Sequence, residues 1–156
     1  MVERVLQRPG GSHSDHAQIW VQGEPCLGDK MSTREEIPEM ASAYLARWYG
    51  EHLPRDVVVL RGSWFGRLFG AFGQSAVTIN GTVHLTRRAP DLETDVGIAF
   101  LGHEIYHVLQ QVQMGWWRYF VLYSLRWRPS HIREGWRHPM ERPAYDRGRE
   151  VRDALG

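Results

Sequence analysis

Residues 101–111 read LGHEIYHVLQQ, and the fold and chemistry expected of the whole chain depend on this stretch. His103 and His107 are four residues apart, so on a helix both imidazoles lie on one face and can reach one metal ion. Glu104 projects from the adjacent position, where a carboxylate can act as general base on water at that metal. The stretch therefore predicts a zinc-binding helix of the HExxH type.

Apolar residues surround this motif from Val96 to Val112 and cover nearly the whole circumference of a helix. Thr94 is a candidate N-cap and Gly115 a natural stop, so we expect a buried helix over residues 94–114. Two histidines and a glutamate buried without partners would cost roughly 1–3 kcal/mol each, and metal ligation removes that cost. The alternative is a degenerate cluster held by hydrogen bonds alone.

A catalytic zinc site needs a third protein ligand and an open position. The chain has a single cysteine, Cys26, so histidines and carboxylates must supply the ligands. The downstream candidates are His131, Glu134, His138, Glu141 and Asp146. We favour Glu141, because it lies at the start of a helix predicted over residues 140–154, in which a small residue, Ala144, would allow close packing on the central helix. A carboxylate favoured by the helix dipole is the other interpretation of Glu141.

The remaining elements predict an α+β fold. A capping box at Ser32–Glu35 and apolar periodicity indicate a helix over about 36–49, and a β-branched run indicates a strand over 56–60. Residues 62–74 suit a short helix or a structured loop. Residues 75–86 predict a hairpin, for which we prefer a three-residue loop at 79–81 that pairs Val77 with Val83 and leaves His84 on a solvated face.

Aromatic residues concentrate in the segment 116–127, which predicts a further helix. The first interpretation is a core-packing helix that covers the HExxH helix, with its arginines extending to solvent. The second is an interfacial helix on a membrane surface, and the third is an apolar wall for a substrate or a partner protein.

Length suggests one domain over residues 32–156, and the glycine and proline residues near the N-terminus suggest an extended lead-in over residues 1–31. The net charge of +1 gives no reason to expect a nucleic-acid partner. The sequence shows neither a signal peptide nor an apolar run long enough to span a bilayer, so we expect a cytoplasmic protein, with peripheral membrane association if 116–127 is interfacial. The sequence does not indicate an oligomeric state.

Three stretches together resemble a known family. Residues 76–85 (AVTINGTVHL), the HExxH stretch and residues 141–145 (ERPAY) are similar to the DUF4157-type, gluzincin-like bacterial metallopeptidases, over roughly residues 55–150. The resemblance implies a single zincin-like domain with one zinc per chain, whose ligands are His103, His107 and Glu141 and whose general base is Glu104. It also implies that the central helix packs with a small antiparallel sheet or hairpin and a C-terminal helix carrying the third ligand.

The chain departs from that family at Tyr145, where the family often has Asp, and Asp146 follows directly. Such an Asp typically orients a zinc-bound histidine, so either residue could take over that contact. We assign Tyr145 to the catalytic set as a hydrogen-bond donor to the oxyanion, with His138 and Tyr106 as the other candidates.

The expected function is zinc-dependent hydrolysis of peptide bonds in a peptide or protein substrate. The edge of the hairpin could align an extended substrate by strand addition, or could be plain scaffold. The alternative function is a non-catalytic, zinc-stabilised interaction module of a larger toxin-like, phage-like or membrane-surface assembly.

Overall fold

The computed structural model describes residues 32–132 and 134–156, and its architecture is α+β, as predicted. The described strands are Thr33–Glu35 (β1), Val58–Arg61 (β2), Ala76–Ile79 (β3) and Thr82–Leu85 (β4). The described helices are Glu39–Tyr49 (α1), His52–Asp56 (α2), Trp64–Ala71 (α3), Asp95–Met114 (α4), Trp116–Arg126 (α5) and Arg142–Leu155 (α6). The lead-in expected over residues 1–31 lies outside the described residues.

The four strands form one mixed sheet in the order β1-β2-β4-β3. β1 is antiparallel to β2, and β3 and β4 form an antiparallel hairpin, but β2 is parallel to β4. The expectation of an antiparallel sheet is therefore wrong for the central pair. The chain returns from β2 to β4 through α3 and β3, a connection long enough to bring two strands into parallel register. This order leaves β3 at the edge of the sheet.

The hairpin loop has two residues, not the three we preferred. Val77 lies opposite His84, and Ile79 lies opposite Thr82, so Asn80 and Gly81 alone make the turn. Their φ angles are 48° and 76°, the pair of positive values that a type I′ turn requires. Asn tolerates the left-handed conformation and Gly adopts it without a Cβ penalty, so the two-residue loop is accessible to this sequence.

The expectation of a solvated His84 is also wrong. His84 is only 8% exposed, its Nδ1 lies 2.9 Å from Ser63 Oγ, and its ring packs against Phe65. The hairpin pattern predicts polar residues on one face and apolar residues on the other. In the structure, α3 covers the face of β4 that carries His84. The hydroxyl of Ser63 bonds to the imidazole there, so a polar residue can be buried.

The first helix begins later than predicted because of Pro38. The residue before a proline is disfavoured in the α region, so α1 begins at Glu39, with Pro38 as its N-cap residue, instead of at 36. Three of the four residues of the proposed capping box, Thr33–Glu35, form β1 instead, and Glu35 forms an ion pair with Arg61 on β2. The short helix α2 was not predicted.

The central helix α4 matches its prediction at both ends. Thr94 caps it by accepting from the Gly97 N–H, and Gly115 ends it. α4 packs against β3, β4, α5 and, most extensively, α6. The approach of α6 is close at Gly148, where an added Cβ would lie 3.4 Å from the Cβ of His103. Among the described helices, none combines the length and apolar character needed to cross a bilayer.

Candidate metal centre

His103, His107 and Glu141 converge where the start of α6 meets the middle of α4. The two histidine Nε2 atoms lie 3.1 Å apart. Glu141 Oε2 lies 3.2 Å from Nε2 of His107 and 3.4 Å from Nε2 of His103. In the part of the chain that the structure describes, this is the one group of three such side chains close enough to hold a metal ion.

The three separations fit a tetrahedral metal site. Two donors that each lie about 2.0–2.1 Å from one zinc ion at a tetrahedral angle are about 3.3 Å apart. Hydrogen bonds alone account less well for this triangle of donor atoms, because each Nε2 carries at most one hydrogen. If both donate to Glu141, two protonated nitrogens face each other at 3.1 Å. Two imidazole nitrogens and one carboxylate oxygen are also a common zinc ligand set.

The far side of His107 is held by residues that the sequence argument missed. Its Nδ1 lies 2.9 Å from Gln110 Oε1 and 3.1 Å from the hydroxyl of Tyr119. Gln110 also donates to the backbone carbonyl of Met140, next to Glu141. The spacing of Gln110, three residues after His107 on the same helix, was a signal that could have identified it.

Glu141 is held from α5 and from the loop before α6. The Tyr123 hydroxyl donates to Glu141 Oε1 at 2.9 Å, which leaves Oε2 directed at the histidines. His138 is fully buried and stacks on the Tyr123 ring. Its Nδ1 accepts from the Met140 N–H, so its Nε2–H donates to the Tyr123 carbonyl. With both nitrogens bonded to backbone, His138 is neither the third ligand nor an oxyanion donor in this structure.

His107 and Glu141 strongly shift each other's pKa. Burial by itself would lower the pKa of His107, but the hydrogen bond and charge of Glu141 and the charge of Glu104 raise it to about 9. Burial would raise the pKa of Glu141, but its bonds to His103 and His107 hold it well below its usual range. The carboxylate is therefore ionised at neutral pH, the form that binds a metal ion.

Glu104 lies beside the donors without joining them. It is 5% exposed, and its Oε2 accepts from the hydroxyl of Thr78 on β3 at 2.7 Å. A cleft of about 990 Å³ opens onto Glu104 and all three donors, and α3, β3, α4, α5 and α6 all contribute to its walls. A carboxylate at this position can take a proton from water in the cleft.

Tyr145 lines the same cleft, and its ring packs edge-on against His103 with 4.6 Å between ring centroids. Burial, with the nearby carboxylates Glu141 and Glu104, raises the pKa of its hydroxyl. Its role as an oxyanion donor stays a prediction. The other third-ligand candidates have different partners: Asp146 binds Arg149, Glu134 binds Arg137, and His131 accepts from the Arg128 N–H.

Helix α5 covers the donors with one face and exposes the other. Tyr119 is its one buried residue, and Phe120 and Tyr123 line the cleft. The opposite face is apolar and exposed, with Trp117 at 69% and Leu125 at 77%. The core-packing interpretation therefore describes only the inner face. The four-residue spacing of Tyr119 and Tyr123 could have indicated a shared polar role.

Residues 36–115, slightly more than half of the chain, match the family described as the eCIS core domain, formerly DUF4157. This chain belongs to the eCIS core domain family. A search of the curated proteins gave no match, and neither did a search of the solved structures.

The match to the eCIS core domain covers only part of the candidate site. It includes His103, Glu104 and His107 on α4, and it ends at the residue that separates α4 from α5. Glu141 and the two tyrosines of α5 lie beyond the matched segment. The family match therefore covers two of the three donors, and the third comes from the C-terminal part of this chain.

Proposed function

We propose that this protein is a zinc-stabilised module of a larger toxin-like or phage-like assembly. The observation that carries the proposal is its membership of the eCIS core domain family. The donor triangle of His103, His107 and Glu141 supports a structural metal within that module. No further site is needed for this role, because a rigid domain with a stable surface is sufficient for assembly.

Zinc would contribute to stability by joining the central helix to the C-terminal part of the chain. An ion that binds the folded but not the unfolded chain stabilises the fold by about 2.7 kcal/mol when its concentration is about 100 times Kd. The two histidines come from α4, whereas Glu141 directly precedes α6. Metal removal should therefore loosen the packing of α6 on α4 first.

The metal part of the proposal is tested by elemental analysis of protein purified without chelator. We expect about one zinc per chain in the wild type and a large loss of zinc in Glu141→Ala. Glu150→Gln is the control, because Glu150 lies on α6, the helix that follows Glu141, but is exposed and binds only Arg147 among the described ion pairs. A wild-type protein that stays free of zinc after reconstitution would exclude the structural metal.

The assembly part is tested by sedimentation of the protein from its native cells. We expect it to co-sediment with particles far larger than the 18.1 kDa chain. Chelator treatment should release it if the metal maintains the assembling surface. Sedimentation as a free chain at every zinc concentration would contradict the assembly role.

Peptide hydrolysis is a second candidate function, and the position of Glu104 favours it. Glu104 faces the cleft beside the donor triangle, yet is not one of the donors. Burying a carboxylate is costly, and a purely structural metal site does not require one beside its donors. This function would go with a zincin-like fold, in which two histidines of the HExxH helix and a later glutamate bind zinc, as in gluzincins.

In this second candidate, zinc supplies Lewis-acid polarisation of a carbonyl group and of water. Glu104 would accept the proton of the attacking water and deliver it to the leaving amine. The hydrogen bond from Thr78 holds the carboxylate toward the cleft. Along the β3 edge, the hairpin register directs the backbone polar groups of Ala76 away from β4, where an extended peptide could pair with them.

Hydrolysis is tested with zinc-loaded wild type and Glu104→Gln on an unstructured protein, with products identified by mass spectrometry. Catalysis requires cleavage by the wild type, loss of cleavage in Glu104→Gln, and equal zinc content in both. Cleavage that persists in Glu104→Gln would exclude Glu104 as the base. No cleavage by a zinc-loaded wild type would leave the structural role as the function of the site.

A further inference from the structure

We propose that Tyr119 and Tyr123 of α5 are positioning residues for the metal centre, so that zinc binding and the docking of α5 stabilise each other. The inference rests on the proposed zinc site, because it concerns residues that hold two of its ligands. It assigns the aromatic segment 116–127 a specific role in orienting the ligands, beyond packing over α4.

Each tyrosine contacts one ligand, at the atom of that ligand that faces away from the other donors. The Tyr119 hydroxyl lies 3.1 Å from Nδ1 of His107, whose Nε2 faces the other donors. The Tyr123 hydroxyl lies 2.9 Å from Oε1 of Glu141, whose Oε2 faces the histidines. Contacts of this kind fix the orientation of a ligand, and their loss typically weakens metal affinity.

From one helix, the two contacts reach ligands that belong to different parts of the chain. Tyr119 and Tyr123 are four residues apart, so they project from the same face of α5. Their rings also pack against each other, with 5.9 Å between centroids. Helix α5 thus relates the position of His107 on α4 to that of Glu141 before α6.

Helix α5 buries only part of its apolar surface. Tyr119 is its one buried residue, and Trp116 and Leu122 are part-buried, while Trp117, Phe120, Val121 and Leu125 are all about half exposed or more. The polar contacts of the two tyrosines therefore add to the limited apolar packing that holds α5 in place. By thermodynamic reciprocity, if docked α5 favours zinc binding, bound zinc must favour docked α5.

The experiment uses the full chain as wild type, Tyr119→Phe, Tyr123→Phe, the double variant and a control, Tyr44→Phe. Tyr44 lies on α1, where its ring packs against the hydrophobic core and lies under the guanidinium of Arg47. Zinc affinity is measured by competition with a chromophoric chelator. Cobalt(II) absorption reports the ligand geometry, and hydrogen exchange of residues 116–126 is compared with and without zinc. Thermal melts of the zinc-free forms show whether each variant folds.

We expect each single variant to bind zinc about 10-fold more weakly and the double variant more weakly still, within the usual range for such contacts. The cobalt spectrum should change, and zinc should protect α5 in the wild type but less in the double variant. Tyr44→Phe should match the wild type. Unchanged affinity, spectrum and protection in the double variant would overturn the inference while leaving the zinc site intact. A wild type that binds no zinc would instead remove the proposed site itself, and with it this inference.

Discussion

Gln111 joins the central helix to the hairpin, and its replacement by leucine gives a quantitative test of the fold. The side chain is 4% exposed, and both of its polar atoms are bonded. Its Nε2 donates to the Thr78 carbonyl at 2.8 Å, and its Oε1 accepts from the Gly81 N–H at 3.1 Å. One residue thus fixes both the edge strand β3 and the turn that follows it.

Leucine has a similar volume but makes neither hydrogen bond. A typical intramolecular hydrogen bond contributes about 1 kcal/mol net, so the loss of two should lower the free energy of unfolding by about 2 kcal/mol. For a domain of this size, each kcal/mol corresponds to about 2–4 °C in Tm. Gln111→Leu should therefore melt about 4–8 °C below the wild type.

The measurement is thermal unfolding followed by circular dichroism, on zinc-free protein so that metal binding does not contribute. Gln113→Leu is the matched control, because Gln113 lies on the same helix but is exposed. Substitutions at exposed positions usually change stability by less than about 0.5 kcal/mol. If Gln111→Leu melted within about 1 °C of Gln113→Leu, the two bonds could not be what holds the hairpin to α4.

Three further substitutions test the packing around the site, each by urea unfolding. Gly97→Ala should destabilise by about 1–3 kcal/mol, because its Cβ would lie 1.9 Å from the carbonyl oxygen of Asp91; wild-type stability would show that the helix start is differently placed. Gly81→Ala should cost about 1–2 kcal/mol, since its φ of 76° is strained for alanine; no loss would contradict the type I′ turn. Val151→Ala should cost roughly 2 kcal/mol, because Val151 is fully buried against Gly102; a neutral result would contradict the packing of α6 on α4.

The central helix was predictable because every local signal agreed. Thr94 caps it, Gly115 ends it, and apolar residues around its circumference require burial. For α4 and its two histidines, short-range sequence spacing carries the geometric information. The convergence of Glu141 with them was anticipated on a different ground, its place at the start of a helix in which the small residue Ala144 allows close packing on α4.

The errors lie where tertiary contacts override local pattern. The hairpin register depended on assuming that a polar His84 must face solvent, whereas Ser63, the residue that caps α3, supplies a buried partner. The four-residue spacing of Tyr119 and Tyr123 places both on one face of α5, but it does not show that this face contacts His107 and Glu141. The order of the strands in the sheet likewise follows from α3, a segment whose sequence suited either a helix or a loop.

The separation of the ligands along the chain has a consequence for its topology. His107 and Glu141 are 34 residues apart, and α5 lies between them. An ion shared by the two closes this segment into a loop, as a disulfide would. Cross-linking a loop of this length restricts the unfolded chain by roughly 3–4 kcal/mol in the entropy model used for disulfides. A sequence with a single cysteine would thus have a cross-link that a chelator can open and that the thiol redox state of its surroundings does not affect.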